Sequence, residues 1–233
     1  MLFSWDKDTI RWYESANDYT GFYGKLADEI MPMVHGTKSF ADLGCGLGLI
    51  DLELADRLEN ICCVDISESA VARLRENAAA RGANNLEIVL GDCFEMDREF
   101  DVIYLCFFSS RELERFRPRC RKIVSIVGGE SNAPLFPQKY RKKKKNTISG
   151  EKRYLEERNI LYKLTECSFE FGQPLVSIED AYAYVHTYAE EVSSEEMDRF
   201  LGERLVDSGL EKYPLYMPRE KSIGIFEVDG FLK

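Results

Sequence analysis

The chain has 233 residues, a formal net charge of −10, 45% hydrophobic and 31% charged residues. That length allows one domain with an inserted segment and a sizeable core. The acidic balance argues against a broad nucleic-acid surface, which needs clustered Lys and Arg. The longest apolar run, residues 102–108, is too short to cross a bilayer. The start Met1-Leu2-Phe3-Ser4-Trp5-Asp6 lacks a signal peptide's basic region. Seven cysteines without a C-x-x-C pair read as reduced, packed thiols, so a cytoplasmic location is expected.

From the N-terminus, residues 7–16 and 22–34 read as amphipathic helices. In the second, Phe22, Leu26, Ile30 and Met33/Val34 recur at three- and four-residue steps, and Pro32 and Gly36 bring it to an end. Trp5, Trp12, Tyr13, Tyr19 and Tyr23 gather in this region. The tryptophans read as packing groups. Tyr13, Tyr19 and Tyr23 stay open between packing and closing over a ligand, since an aromatic face suits a cation. His35 reads as a helix cap.

Next comes Ser39-Phe40-Ala41-Asp42-Leu43-Gly44-Cys45-Gly46-Leu47-Gly48, a short apolar run entering a tight glycine turn. Missing Cβ atoms let the backbone turn sharply and let a ligand lie close to the main chain. The first amides of the helix expected at 49–58 would point at that ligand. Asp65 follows the strand-like Ile61-Cys62-Cys63-Val64 about 20 positions on, the place of a carboxylate that grips ribose hydroxyls. The dinucleotide fingerprint needs a glycine three places after Gly46, where Leu49 stands. Asp42 would repel a pyrophosphate but suits an ammonium group.

Strand candidates 39–43, 61–65, 86–90, 102–107 and 123–127 alternate with helix candidates 49–58, 69–80 and 112–119, and Ser67 offers a cap to the second of these. Such alternation predicts an α/β fold with a parallel sheet covered on both faces. Ligands of such sheets gather at the carboxyl ends of the strands, where Asp42, Asp65, Asp92 and Cys106 all fall. After Gly128-Gly129 the pattern changes. Residues 139–145 carry six positive charges in seven residues and read as a solvated loop. A helix at 151–162, a strand at 164–171 and helices at 178–190 and 194–206 follow. Residues 213–217 and 222–228, separated by Pro218-Arg219-Glu220-Lys221, read as an antiparallel hairpin.

The Asp-x-Gly-x-Gly-x-Gly stretch from Asp42 to Gly48 resembles the first motif of class I S-adenosylmethionine-dependent methyltransferases. Cys62-Cys63-Val64-Asp65-Ile66-Ser67 resembles that superfamily's second strand, and Leu86 to Phe94, with Gly91-Asp92-Cys93, its third strand and adenine loop. Residues 100–108 resemble its fourth strand. The resemblance implies a Rossmann-like, doubly wound, mostly parallel seven-stranded sheet with an antiparallel C-terminal strand, N-terminal helices and an inserted helical lid. It divides the chain into a helical cap (1–35), a cofactor-binding core (36–129), a substrate lid (130–192) and a last helix with the hairpin (193–233). S-adenosyl-L-methionine is then the cofactor, held by Asp42, Gly44, Cys45, Gly46, Gly48, Asp65, Ile66, Asp92, Cys93, Phe94 and Cys106, with Tyr13 and Tyr23 closing over it. On this mapping Ile66 faces the adenine ring and Asp92 accepts from its amino group, because a carboxylate accepts but does not donate.

The acceptor is far less visible, because the cofactor carries the reactivity and the protein only aligns a nucleophile. Of the two histidines, His186 lies four residues from Tyr182, so the pair is either a candidate base with its neighbour or a packing pair. Cys106 and Cys167 are candidates for thiol chemistry. No Asn/Asp-Pro-Pro-Tyr/Phe signature, Pro-Cys pair or metal-ligand spacing occurs. The expectation is methyl transfer to oxygen or nitrogen of a small molecule, without a metal. The alternatives are an RNA or protein methyltransferase docking through the lysine-rich loop, and a catalytically silent S-adenosylmethionine-binding protein. Oligomeric state is not readable.

Overall fold

The computed structural model describes residues 4–108, 112–130, 133–141 and 146–232. Its centre is a seven-stranded sheet built from β1 (Phe40–Leu43), β2 (Ile61–Asp65), β3 (Leu86–Leu90), β4 (Phe100–Cys106), β5 (Cys120–Gly128), β6 (Tyr162–Glu170) and β10 (Glu220–Asp229). The strand order is β3-β2-β1-β4-β5-β10-β6. β1 pairs in parallel with both β2 and β4, so the chain reverses its winding between β1 and β4. β10 is antiparallel to β5 and β6 and is the reversed strand of the sheet.

Period-two alternation sends successive side chains to opposite faces. Phe40, Tyr104, Val124, Ile126, Ile223 and Ile225 enter one core with Phe22, Leu26 and Ile30. Their neighbours Ala41, Leu43, Ile103, Leu105, Ile123 and Val127 enter the core on the other face. The first face is covered by α2 (Phe22–Val34), α3 (Leu49–Leu54) and α4 (Glu68–Arg81), and α5 (Ile148–Glu157) lies on the second. Ser67 caps α4 through a bond accepted from the Ala70 amide.

Several expected elements differ. The helix expected at 112–119 is two single 3-10 turns, because Pro118 removes a donor there. α1 (Lys7–Thr20) outruns its expected end at 16 by one turn, to the left-handed Gly21. The hairpin expected from 213–217 and 222–228 does not form. β9 (Tyr213–Met217) instead lies between β7 (Gln173–Leu175) and β8 (Val206–Leu210) in a separate three-stranded sheet. With α6 (Ile178–Tyr188), α7 (Ser194–Arg204) and Trp12 that sheet encloses a third core. β6 joins the main sheet, so the segment 130–192 is not purely a lid: it contributes an edge strand to the core.

Among the described residues no helix is long and apolar enough to cross a membrane. All seven cysteines are free thiols.

The third core is fastened to the N-terminal helix by one carboxylate. Asp180, buried at the start of α6, accepts from Trp12 Nε1 at 2.9 Å, from the Arg11 guanidinium at 2.6 and 3.2 Å, and from the Val176 amide at 3.1 Å. Burial opposes the charge, but these donors outweigh it and hold the carboxyl below its ordinary range. Ionised Asp180 therefore stabilises the fold above the unfolded pKa of about 3.9 and ceases to do so as the pH falls through the native value. Asp180→Asn places an amide NH2 against these donors. It should lower unfolding free energy by about 2 kcal/mol in urea titrations at neutral pH, with the gap to wild type closing in acid.

Candidate functional site

One cavity of about 880 Å3 opens at the carboxyl edge of the main sheet, against the point where the winding reverses. It is lined by all of the expected binding residues save one: Tyr13, Tyr23, Asp42, Gly44, Cys45, Gly46, Asp65, Ile66, Asp92, Cys93, Phe94 and Cys106. The exception is Gly48, which lies behind the wall. Its φ of 61° and the Leu74 methyl groups at 2.3 and 2.6 Å from a built Cβ make it a packing glycine where α3 meets α4.

The glycine turn differs in one respect from the expectation. Its amides are spent inside the protein. Gly44 N and Cys45 N donate to Val64 O at 2.7 and 3.1 Å, and Gly46 N donates to Asp65 Oδ2 at 2.8 Å. α3 is only six residues long. The amides of Gly44, Cys45 and Gly46 are therefore not available to cradle an anion. The turn presents a surface without side-chain bulk, against which Trp5 and Phe108 already pack: a Cβ on Gly46 would meet Trp5 at 2.9 Å, and one on Gly44 would meet Phe108 at 2.7 Å.

Asp65 ties this turn to α4. Its other oxygen accepts from Ser67 N at 2.8 Å. Each carboxylate oxygen keeps a second lone pair, so the carboxylate retains acceptor capacity. Asp92 is fixed in a similar way by the Phe94 amide at 2.9 Å. Between them Ile66 is 52% exposed on the cavity wall, an apolar surface that a flat heterocycle would cover.

Beneath the turn lie two buried carboxyls. Asp42 is 1% exposed and lines the cavity; Asp51, on the first turn of α3, is fully buried. Asp42 Oδ1 and both Asp51 oxygens meet no donor among the described residues. Burial and mutual repulsion push Asp42 well above the carboxylate range, and burial pushes Asp51 up as well. Two adjacent carboxyls in an apolar floor hold a proton between them. An orphaned oxygen facing a cavity invites a cation, and the spent turn amides disfavour a phosphate. Together with the exposed Ile66 and the acceptors Asp65 and Asp92, these features fit an adenosyl group joined to an amino acid.

The N-terminal aromatics divide. Tyr13 and Tyr23 share a hydroxyl hydrogen bond of 2.7 Å in the cavity wall, and Trp5 stands edge-on to Tyr13. Tyr19 stacks on Tyr216 at 4.5 Å, away from the cavity, and Trp12 packs into the third core. Trp5, expected as a packing group only, also lines the site. The candidate base pair is not there. Tyr182 donates to Asp198 on the surface, His186 is exposed, and neither lines the cavity, because α6 turns that face outward.

The cavity's remaining groups are poor bases. Burial pushes the Cys106 thiol and the Tyr13 phenol up to about 12 each and Tyr23 well above its ordinary value. Cys167 is raised to about 11 by burial and lies outside the wall. No group of three or more His, Cys, Asp or Glu among the described residues is placed to hold a metal ion.

Sequence reasoning missed the three cations of the wall. Arg141, Arg219 and Lys221 enter from the segment after η-turn 138–140 and from the start of β10. Lys221 Nζ sits 3.4 Å from the centroid of Phe107, whose φ of 51° is one of two positive values at non-glycine positions. Arg219 Nε donates to Phe171 O at 2.7 Å. Of the basic run, Lys139 pairs with Glu196 at 2.9 Å, while Lys142–Lys145 lie outside the described residues.

The carboxyl pair has a signature of its own. Its native pKa values exceed the unfolded value, so the native state binds more protons and loses stability as the pH rises above about 4. Asp51→Asn supplies a donor to Asp42 and removes the repulsion. It should raise Tm, and the gain over wild type should widen between about pH 5 and pH 8 in thermal unfolding. A gain independent of pH would mean that no proton is shared.

Residues 40–128 match a family model described as a methyltransferase domain. No protein of curated function matches the chain. Among solved structures, a putative methyltransferase from Bacillus halodurans is 15% identical with a TM-score of 0.58, over 88% of this chain and 99% of that one. A SAM-dependent methyltransferase from Aquifex aeolicus is 14% identical with a TM-score of 0.52, over 97% and 100%. A precorrin 8w decarboxylase from Methanobacterium thermoautotrophicum is 15% identical with a TM-score of 0.52, over 88% and 89%. At such identities the likeness is one of fold. Residues 40–128 are thus similar in sequence to a methyltransferase domain, and the sheet order gives the chain the fold of these solved methyltransferases.

Proposed function

We propose that the protein transfers a methyl group from S-adenosylmethionine to an oxygen or nitrogen atom of a small molecule. The observation that carries this reading is the cavity itself. Its volume lies within the range of small-molecule sites, and it runs on past the adenosyl-binding residues to Phe107, Phe108, Val127, Gly128 and Asn146. A net charge of −10 speaks against an RNA surface.

Within the site, Asp65 takes the ribose hydroxyls, Ile66 the adenine face and Asp92 the adenine amino group. Asp42 takes the ammonium of the methionine moiety. A cation there lets the Asp42–Asp51 pair release its shared proton, so cofactor binding and ionisation are coupled. Tyr13 and Tyr23 close over the methionine end. The bound cofactor supplies a methyl group on a positively charged sulfur. The chain's task is to hold the acceptor in line at about 3–3.5 Å and to exclude water.

With the wall phenols and the thiol protonated and no histidine in the wall, the acceptor arrives as its own nucleophile, or its proton leaves to solvent after transfer. The segment 130–192 reaches the acceptor end through Arg141 and Asn146, while its strand β6 belongs to the main sheet.

Asp65→Ala should weaken S-adenosylhomocysteine binding by about 1–3 kcal/mol in calorimetry. Unchanged affinity would remove Asp65 from the ribose. Labelled methyl groups should pass into the small-molecule fraction of a cell extract; label confined to RNA or protein would overturn the small-molecule reading. Tight binding with no labelled product in any fraction would favour a silent cofactor-binding protein.

A further inference from the structure

Three cations, Arg141, Arg219 and Lys221, line the cavity beside the expected adenosyl-binding residues, and neither arginine has an anionic partner among the described residues. Arg219 and Arg141 both line the cavity, and both are partly buried. Arg219 is clamped from two sides: its Nε donates to Phe171 O at 2.7 Å, and its backbone carbonyl accepts from Phe171 N at 2.8 Å. The guanidinium also lies 5.3 Å from the Phe171 ring. Arg141 is held over Phe136 at 5.1 Å. Neither forms an ion pair with any described carboxylate. The charged and titratable groups that act on Arg219 are Tyr184, Tyr13, Tyr216 and Arg141 itself, and on Arg141 only Tyr184.

This arrangement is costly without a ligand. Two guanidiniums repel one another in a wall of aromatic rings, and burial lowers both pKa values. Elsewhere, Arg11, Arg57, Arg73, Arg81, Arg98, Arg115, Arg121 and Arg158 each meet a carboxylate, and Arg75, Arg117, Arg119 and Arg204 donate to backbone carbonyls. In so acidic a protein, two unpaired arginines facing the same cavity are a preformed half of an ion pair. Guanidinium groups bind carboxylate and phosphate oxygens through paired, parallel hydrogen bonds. The rings of Tyr13, Phe107 and Phe108 add apolar surface to the same cavity.

We infer that Arg219 and Arg141 form an oxyanion subsite for the methyl acceptor, which is therefore a small molecule carrying a carboxylate or phosphate next to an apolar or aromatic body. The inference rests on the methyltransferase reading for what happens to that molecule, but not for its binding. Asp42 and the two arginines then sort the two ligands by charge. The cofactor's cationic amino group goes to the acidic floor and the acceptor's anion to the basic wall.

The test is calorimetry on the full chain, with and without saturating S-adenosylhomocysteine, using benzoate, phenyl phosphate and the neutral benzyl alcohol as probes. At least one anionic probe should bind, benzyl alcohol should bind more weakly, and the better anion identifies carboxylate or phosphate as the recognised group. Arg219→Met and Arg141→Met should each weaken the anionic probe by about tenfold or more. Both should leave S-adenosylhomocysteine affinity within about twofold. Arg219→Lys should recover part of the loss. If Arg219→Met fails to fold, Arg141→Met, which breaks no hydrogen bond to Phe171, carries the test alone. Equal binding of benzyl alcohol, or anionic probe affinity indifferent to both arginines, would overturn the subsite. So would a loss in S-adenosylhomocysteine affinity as large as that for the probe, since the arginines would then hold the cofactor's own carboxylate. Failure of S-adenosylhomocysteine to bind wild type strikes the cofactor site alone, and the probe titration without it still decides the subsite.

Discussion

Asp65 is the fixed point of the site. One oxygen holds the Gly46 amide and the other the Ser67 amide, so a single carboxylate joins the glycine turn to the start of α4. With Gly44 N and Cys45 N already given to Val64 O, the first three glycine-turn amides are satisfied before any ligand arrives. The turn's glycines are there for closeness: Trp5 and Phe108 lie where Cβ atoms of Gly46 and Gly44 would stand.

The electrostatics follow from that closure. With the amides of Gly44, Cys45 and Gly46 spent, the cavity's charge owes much to side chains. The floor is acidic, with Asp42 and Asp51 buried together at a cost that a shared proton reduces. The wall facing it is basic.

The parts legible in the sequence are those that depend on local chemistry. Asp42 and Asp65 lie at the ends of β1 and β2, the glycines and Asp92 follow β1 and β3, and the parallel βα alternation brings these strand ends to one edge. Gly48 follows the same spacing but serves helix packing, because one glycine pattern answers both a ligand's approach and Leu74's. Tyr182 and His186 do share a helical face, as their spacing requires. Spacing alone carries no information about which face meets a cavity, and α6 buries Ala181, Tyr184 and Val185 instead.

The cations were hidden for a topological reason. Read as a hairpin, residues 213–228 put Pro218-Arg219-Glu220-Lys221 at a solvent-facing tip, where charges need no explanation. In the fold, β9 belongs to the small sheet and β10 to the large one, so this tetrapeptide is a crossing between sheets. β10 runs opposite to β5, pairing Ile223 with Gly128 at the carboxyl end of β5. The first residues of a reversed strand therefore arrive at the edge where parallel strands finish. That reversal is what brings Arg219 and Lys221 to the same rim as Asp42, Asp65 and Asp92, although some 130 to 180 positions separate them along the chain. An antiparallel last strand is thus more than a way to close the sheet. It is the route by which a C-terminal segment with no motif of its own supplies side chains to a site built by the N-terminal half.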